Sequence, residues 1–234
     1  KRVSKKKPVV MLKAGRTSLG ARAASSHTGA LAGNDKIYED VLKQSGVIRA
    51  RSLRDLLEFA RGIPVLPTPK GENVVIITGA GGSGVLLSDA CVDNKLSLMA
   101  MPADLDAAFR KFIPPFGAAG NPVDITGGEP PKTYQNTIRL GLEDARIHAL
   151  ILGYWHTIVT PPTVFARLVV EVVEEMKAKG IVKPIVASLA GDVEVEEAAE
   201  YLYQHGIPAY AYSTEIPVAV LGAKYQWARG AGLI

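Results

Sequence analysis

The stretch Asn73-Val74-Val75-Ile76-Ile77-Thr78-Gly79-Ala80-Gly81-Gly82-Ser83-Gly84 decides the fold, because a continuous apolar run passes directly into a glycine-rich turn and then a helical pattern. A short apolar run of this kind is typical of a strand that is buried on both faces, as in a parallel sheet. The same order of strand, turn and helix returns along the rest of the chain. We therefore predict that residues 72–234 form one α/β domain with a doubly wound parallel sheet.

The further elements of this domain follow from the same alternation. Strands are predicted at LSLMAM, VDIT, HALILG, PIVASL and IPAYAY, and helices near 104–112, 132–144, 163–179, 193–205 and from Pro217 onward. The segment GAGGSG, residues 79–84, is predicted as a glycine turn that enters the first helix.

The first 62 residues have a different organisation. They predict a strand at 8–13, a Gly/Ser/Ala/Arg-rich loop to about Gly33, a helix at 35–44, a strand at 46–50 and a capped helix from Ser52 to Phe59 that stops at Gly62. Two strands and two helices bury too little surface to be stable alone. We therefore expect residues 1–62 to be the C-terminal part of another domain, joined by a proline-rich linker at 63–71.

Composition and charge limit the functional classes. The chain has 234 residues, of which 47% are hydrophobic and 21% charged, which is typical of a globular protein. No apolar run approaches the roughly 18 residues of a membrane span, so we expect a cytoplasmic protein with no membrane partner. The single cysteine, Cys91, excludes an internal disulfide and is expected in the core. Residues 1–70 carry 15 Lys and Arg against 5 Asp and Glu, but no aromatic residues interleave the basic N-terminus, so we expect no nucleic acid partner.

The GAGGSG turn is the first candidate site. In an open α/β sheet, ligands bind beyond the carboxyl ends of the strands, and a glycine-rich helix start favours anions through its N–H groups and dipole. Glycines at 79, 81 and 84 match a dinucleotide fingerprint, but no acidic residue follows the second strand. A phosphate or phosphoryl site is therefore favoured over NAD, and tight packing of the turn is the alternative.

Two further loops carry polar residues at strand ends. The loop at 121–128 could line an anion site, although a simple turn is the favoured interpretation. The loop Gly153-Tyr154-Trp155-His156-Thr157 is a plausible substrate-specificity loop, because exposed bulky aromatic groups are costly without a pocket or partner. His156 could equally be a surface or hydrogen-bonded histidine. His148, His156 and His205 have no metal-ligand spacing, and we expect no metal site.

His27 lies in the segment SSHTGALAG, residues 25–33, among small side chains. A neutral imidazole can attack a phosphoryl or acyl centre and carry the group covalently. Small neighbours such as Ser26, Gly29 and Ala30 would allow approach from two sides. A purely structural histidine remains an equal alternative on these residues alone.

Together these segments carry a family resemblance. KPVVMLKAG, SSHTGALAG and SGVIRARSL are similar to the end of the first ligase domain in the α subunit of succinyl-CoA synthetase, and closer to the NDP-forming (ADP-forming) acyl-CoA synthetases, the acetate–CoA ligase group. VIITGAGGSG, NPVDITGG and HALILGYWHT resemble the second, flavodoxin-like ligase domain of that family. The resemblance covers essentially the whole chain and implies that residues 1–62 end a second domain of similar fold.

The resemblance implies an acid–CoA ligase that forms acyl-CoA from a carboxylic acid, CoA and ATP, or runs in reverse, through an acyl phosphate and a phosphohistidine. His27 would be the catalytic phosphohistidine, held between the N-termini of two facing helices. The residues implied for phosphate binding are Gly29, Gly79, Gly81, Gly82, Ser83 and Gly84, and those implied for the acyl substrate are Thr78, Gly153, Tyr154, Trp155, His156 and Thr157. Trp155 would bound the acyl pocket.

The family also implies parts that this sequence does not contain. Mg²⁺ and ATP or ADP would bind mainly to an ATP-grasp domain, and CoA to a Rossmann-type CoA-binding domain. We therefore expect this chain alone to be inactive, to need those domains or subunits as partners, and to be part of an oligomer. The alternative function is a non-catalytic, ligase-like sensor module of a protein lysine acetyltransferase.

Overall fold

The computed structural model describes residues 1–29 and 33–234 and confirms the α/β architecture. The N-terminal part contains β1 (Val10–Leu12), α1 (Ser18–Thr28), α2 (Asp35–Gln44), β2 (Ile48–Ala50) and α3 (Leu53–Gly62). The larger part contains β3 (Asn73–Thr78), α4 (Gly81–Asp93), β4 (Ser97–Leu98), α5 (Ala103–Phe109), β5 (Val123–Asp124), α6 (Pro131–Glu143), β6 (Ala149–Trp155), α7 (Pro162–Ala178), β7 (Ile185–Ala190), α8 (Glu194–Gln204), β8 (Ala209–Ala211) and α9 (Glu215–Ala231).

The larger part is built on a parallel sheet in the order β4, β3, β6, β7, β8, with β5 also paired to β3. Alternate residues of each strand face opposite hydrophobic clusters: Val75 and Ile77 face α5–α8, whereas Val74 and Ile76 face α3, α4 and α9. Burial on both faces explains why these strands are continuous apolar runs. The predicted doubly wound sheet is therefore confirmed.

Asn121 closes a gap in this sheet. β4 pairs with the start of β3 and β5 with its end, so β3 has unpaired backbone groups between them. The side-chain oxygen of Asn121 accepts a hydrogen bond from Ile76 N at 3.0 Å, and its amide donates to Val74 O at 2.8 Å and Met99 O at 3.0 Å. Part of the 121–128 loop thus has a structural role.

The N-terminal part packs against the larger part. β1 and β2 form a two-stranded parallel sheet, and Ile48, Phe59, Ile63 and Leu66 are buried in the same cluster as α4 and α9. Trp227 Nε1 donates a hydrogen bond to Ser4 O at 2.7 Å. The segment 63–71 contains no helix or strand, as predicted, but two of its side chains contribute to the core.

The prediction of a loop up to Gly33 was wrong for residues 18–28, which form α1. Thr17 Oγ1 accepts a hydrogen bond from Gly20 N at 3.1 Å at the start of the helix, and Gly29, with φ 68°, ends it. Alanine and arginine in between favour helix without needing an apolar stripe. Residues 30–32 of the SHTGALAG segment lie outside the described residues.

Two further boundaries differ from the sequence prediction. α4 begins at Gly81, so only Gly79 and Ala80 form the turn. β6 continues through Trp155, because Tyr154 and Trp155 pair with Leu189 and Ala190 of β7. The loop that the sequence analysis suggested for substrate specificity therefore begins at His156.

Candidate functional site

The carboxyl ends of β3, β5, β6 and β7 meet at one edge of the sheet, since the strands are parallel. This is the edge at which open α/β sheets bind ligands. The structure brings the β3–α4 turn together with the residues that follow β5 and β6: the Gly79 N–H donates to Gly153 O at 3.1 Å, and the Ile125 N–H to Thr78 O at 2.9 Å.

The start of α4 is the most distinctive feature of this edge. No side chain caps α4, so the first N–H groups of the helix, including those of Gly81 and Gly82, lack a capping acceptor. α5, α6 and α7 also lack a side-chain cap, but α5 has only seven residues, and α6 and α7 begin with proline. At the starts of α8 and α9, side-chain oxygens of Asp192 and Ser213 accept amide hydrogen bonds. α4 is therefore distinguished by its glycines together with the lack of a cap. Free amides and a positive dipole end suit an anion.

Thr78 and Gly153 fix the turn before α4. Thr78 is fully buried, and its hydroxyl both accepts from Ala80 N and donates to Ala80 O, each at 3.0 Å. A Cβ on Gly153 would stand 2.7 Å from Thr78 Oγ1, so glycine is needed for this close approach. Both predicted substrate residues therefore hold the turn in place, and their contact with a substrate stays a prediction.

The glycines of the turn have different surroundings. A Cβ on Gly81 would lie 2.7 Å from a carboxylate oxygen of Asp124, whose other oxygen accepts from Thr126 N at 2.9 Å. A Cβ on Gly82 would meet no atom within 4 Å. Ser83 and Gly84 are buried. The open approach to the α4 amides is thus on the side of Gly82.

Tyr134, in the first turn of α6, lies beneath the turn. The residue is 2% exposed, and a Cβ on Gly79 would lie 1.9 Å from its hydroxyl oxygen. Burial, followed by the charges of Asp124 and Glu129, raises the pKa of the Tyr134 phenol, which therefore stays protonated at neutral pH. The sequence analysis missed Tyr134, because its position there is that of an ordinary helical residue.

Tyr154 supports the site from the core. Its ring stacks on Phe165 at 4.3 Å between centroids, and its hydroxyl donates to Thr160 O at 2.6 Å. The ring of Tyr134 also packs on Phe165, at 5.3 Å and edge-on. Contact of Tyr154 with a substrate stays a prediction, and the packing gives it a structural role.

An exposed apolar patch follows β6. Trp155 is 54% exposed, Ile158 97% and Val159 49%. Thr157 lies beside the neighbouring loop, since a Cβ on Gly127 would be 3.6 Å from its methyl group. Exposed apolar groups at a ligand-binding edge are suited to contact an acyl chain or another domain.

His156 is oriented by an aspartate that the sequence spacing could not reveal. Its Nδ1 is 3.0 Å from Asp192 Oδ1, and its Nε2 is 4.0 Å from Glu194 Oε2. Among the described residues this is the one group of three metal-ligand side chains close enough to hold an ion. Asp192 Oδ1 also accepts from Glu194 N at 3.1 Å, so this carboxylate is also hydrogen-bonded to the first residue of α8.

His27 is exposed in the last turn of α1. None of the residues of α1 whose exposure is described is buried, and α1 has no extensive contact with α4 within the described part of the chain. The base of this segment is held by Lys13, whose Nζ donates to Gly15 O and Gly33 O, each at 3.2 Å. The structure thus leaves the imidazole accessible and does not bring α1 against the start of α4.

Fold and site together define the class: a doubly wound α/β protein with a candidate anion site at the carboxyl edge of its sheet. The chain belongs to the CoA-ligase family. Residues 74–234 match the Ligase-CoA domain, and residues 1–63 match the succinyl-CoA ligase like flavodoxin domain.

Relatives and a solved structure agree with this assignment. The chain is 42% identical, over 98% of its length, to the α subunit of ADP-forming acetate–CoA ligase I of Pyrococcus furiosus, and 36% identical over 89% to the ADP-forming 4-hydroxybutyrate–CoA ligase of Nitrosopumilus maritimus. Acetyl-coenzyme A synthetase 1 of Ca. Korarchaeum cryptofilum, solved with phosphate and ADP, superposes with TM-score 0.92 and 38% identity over 99% of this chain and 49% of that one. The chain spans about half the length of the two P. furiosus α subunits it matches. No helix in the described residues is long and apolar enough to span a membrane.

Proposed function

We propose that this chain is the part of an NDP-forming acid–CoA ligase that handles the acyl phosphate and carries the phosphoryl group on His27. The observation that carries the proposal is the uncapped, glycine-rich start of α4 at the ligand-binding edge of the sheet. The accessible imidazole of His27 and the ADP-forming ligases among the relatives support it.

The proposed reaction divides one acyl transfer into three displacements. An imidazole nitrogen of His27 attacks the γ-phosphorus of ATP, so that an N–P bond forms and the P–O bond to ADP breaks. A carboxylate oxygen of the acid then attacks that phosphorus, which breaks the N–P bond and gives an acyl phosphate. The thiol sulfur of CoA attacks the acyl carbon, loses its proton and releases inorganic phosphate. Each step runs in reverse for acyl-CoA breakdown.

His27 acts in the first two steps, and the other residues of this chain would hold the phosphoryl group on the imidazole and act in the second step. The amides of Gly81 and Gly82 would bind the phosphoryl oxygens, and fixed N–H dipoles of this kind stabilise developing charge. The exposed patch at Trp155 and Ile158 would contact the acyl chain. We assign the binding of nucleotide and Mg²⁺ to an ATP-grasp part of the enzyme, and the binding of CoA to a CoA-binding part. Both would be further domains or partner subunits.

The test is phosphoenzyme formation in the complete ligase. Incubation with γ-labelled ATP and Mg²⁺ should give an acid-labile, alkali-stable label, and His27→Ala should abolish it. His205→Ala is the matched control, since His205 is another histidine at a helix end, with Nδ1 2.8 Å from Tyr201 O. A folded, complete protein that takes up no label would contradict the proposal and favour the non-catalytic sensor module.

A further inference from the structure

The hydroxyl of Tyr134 is a polar group without a hydrogen-bond partner among residues 1–29 and 33–234. No residue that the structure describes exchanges a hydrogen bond with it, and its raised pKa has only burial and the charges of Asp124 and Glu129 as causes. A buried hydroxyl without a hydrogen bond costs free energy, so buried polar groups in native proteins are almost always paired. An unpaired hydroxyl beside a candidate site therefore needs a physical explanation.

The position of the hydroxyl supplies one. It touches Gly79, two residues before the first turn of α4, and a Cβ at Gly79 would fill the space in front of it. Tyr134 is 2% exposed. In the described chain, the hydroxyl groups of Tyr210 and Tyr225 are completely enclosed and have no hydrogen-bond partner, whereas the hydroxyl of Tyr134 is not completely enclosed. The hydroxyl is therefore not fully enclosed, and it lies beside the β3–α4 turn.

The chemistry of the group defines its ligand. The phenol stays protonated at working pH, so it can donate a proton to a hydrogen bond, whereas the nearby Asp124 and Glu129 carboxylates accept. The rings of Tyr154 and Phe165 hold the Tyr134 ring in place. A fixed neutral donor beside the amides of α4 suits an oxygen that carries negative charge.

We propose that the Tyr134 hydroxyl donates a hydrogen bond to the acyl oxygen of the substrate, the carboxylate of the acid and then the carbonyl of its acyl phosphate. The first amides of α4 bind the phosphoryl group of the same molecule. This inference rests on the proposed function and adds a substrate-binding residue to it. Tyr134 orients the acid so that its other carboxylate oxygen faces the phosphorus.

The test uses this chain, with amide resonances of Gly81 and Gly82 followed by NMR during titration with freshly prepared acetyl phosphate and, separately, inorganic phosphate. Tyr134→Phe should weaken acetyl phosphate binding about tenfold, the loss expected for a hydrogen bond to a charged ligand, and leave inorganic phosphate within about twofold. Tyr225→Phe removes another buried, unpaired hydroxyl far from the site and should change neither. Because no residue in the described part of the chain hydrogen-bonds the lost hydroxyl, Tyr134→Phe should melt at the temperature of the unsubstituted chain.

A second measurement needs no variant: in protein labelled with ¹³C at the tyrosine ζ carbons, the Tyr134 resonance should shift with acetyl phosphate. Three results would overturn the assignment of the acyl oxygen to Tyr134. They are equal affinity of the unsubstituted chain and of Tyr134→Phe for acetyl phosphate, a Tyr134 resonance that does not shift, and a loss of inorganic phosphate binding in Tyr134→Phe as large as its loss of acetyl phosphate binding. If His27 is labelled in the complete ligase while Tyr134→Phe binds acetyl phosphate as tightly as the unsubstituted chain, Tyr134 has no role in substrate binding and the proposed function stands. No perturbation of Gly81 and Gly82 in the unsubstituted chain would overturn the anion site and Tyr134 together.

Discussion

Replacement of Gly79 by alanine should destabilise the fold through one contact. The new methyl carbon would stand 1.9 Å from the Tyr134 hydroxyl oxygen and 2.9 Å from its Cζ, whereas carbon and oxygen normally approach no closer than about 3.4 Å. Gly79 has no left-handed φ, so the backbone itself accepts alanine. The cost is therefore overpacking, about 3 kcal/mol because the Tyr134 ring is held by Tyr154 and Phe165.

The double variant isolates that contact. Tyr134→Phe removes the oxygen at 1.9 Å and leaves the ring carbon at 2.9 Å, so it should relieve part of the cost of Gly79→Ala. We expect Tyr134→Phe alone to change the free energy of unfolding little, and a coupling free energy of about 1–2 kcal/mol between the two sites.

Thermal unfolding of the four chains, followed by circular dichroism, measures the cycle. A loss of about 3 kcal/mol corresponds to a melting temperature lower by roughly 6–12 °C in a chain of this size, with a partial return in the double variant. Additive effects, or a Gly79→Ala chain as stable as the unsubstituted one, would refute the reasoning, because the hydroxyl would then not occupy the space in front of Gly79.

Three further outcomes are expected. Gly82→Leu should leave the melting temperature unchanged, because a Cβ at this position meets no atom within 4 Å. The leucine should nevertheless cover the α4 amides and reduce phosphoenzyme formation in the complete ligase about tenfold, whereas Gly120→Leu, at an equally open glycine, should not reduce it. Unchanged labelling of the Gly82→Leu enzyme would remove the turn from the mechanism. Cys91 is fully buried, which raises its thiol pKa to about 12, so a thiol reagent at pH 8 should react only in urea, and rapid reaction of the native chain would contradict this burial. Burial lowers the pKa of Lys183, which donates to Asp144 O at 2.7 Å, from 10.5 to about 8. Between pH 8 and pH 10.5 the unfolded chain binds more protons than the folded chain, so the contribution of Lys183 to the free energy of unfolding should rise with pH. Urea unfolding of Lys183→Met at several pH values in this range should lack that rise.

The sequence predicted best the elements whose signals are local. The helix at 35–44 and the strand at 73–78 have the predicted bounds, and the capping box of Ser52 and Asp55 is present at α3. A capping box depends on residues three apart, and a buried strand on a continuous apolar run, so neither needs the rest of the fold. α1 was missed because its residues have no apolar face, although Thr17 and Gly29 do carry its start and stop signals.

The candidate site could be predicted only in part, since its position follows from topology and its contacts from packing. The glycine turn was found because glycine and a following helix are adjacent in sequence. The contact of Tyr134 with Gly79, by contrast, joins residues 55 positions apart, and the pair of His156 with Asp192 joins two loops. Such pairs become visible only when the sheet order places their loops at one edge.

The position of His27 gives a physical reason for the proposed division of work between α1 and α4. His27 lies in the last turn of α1, where the unpaired carbonyl groups form the negative end of the helix dipole. That end disfavours the negative charge that phosphorylation adds to the ring. The His27 side chain is exposed, and α1 has no extensive contact with α4 among the described residues. The positive end of α4, with amides that no side chain caps, provides the opposite field. A phosphoryl group on His27 should therefore be more stable at the start of α4 than at α1 alone, which favours its delivery to the acyl site.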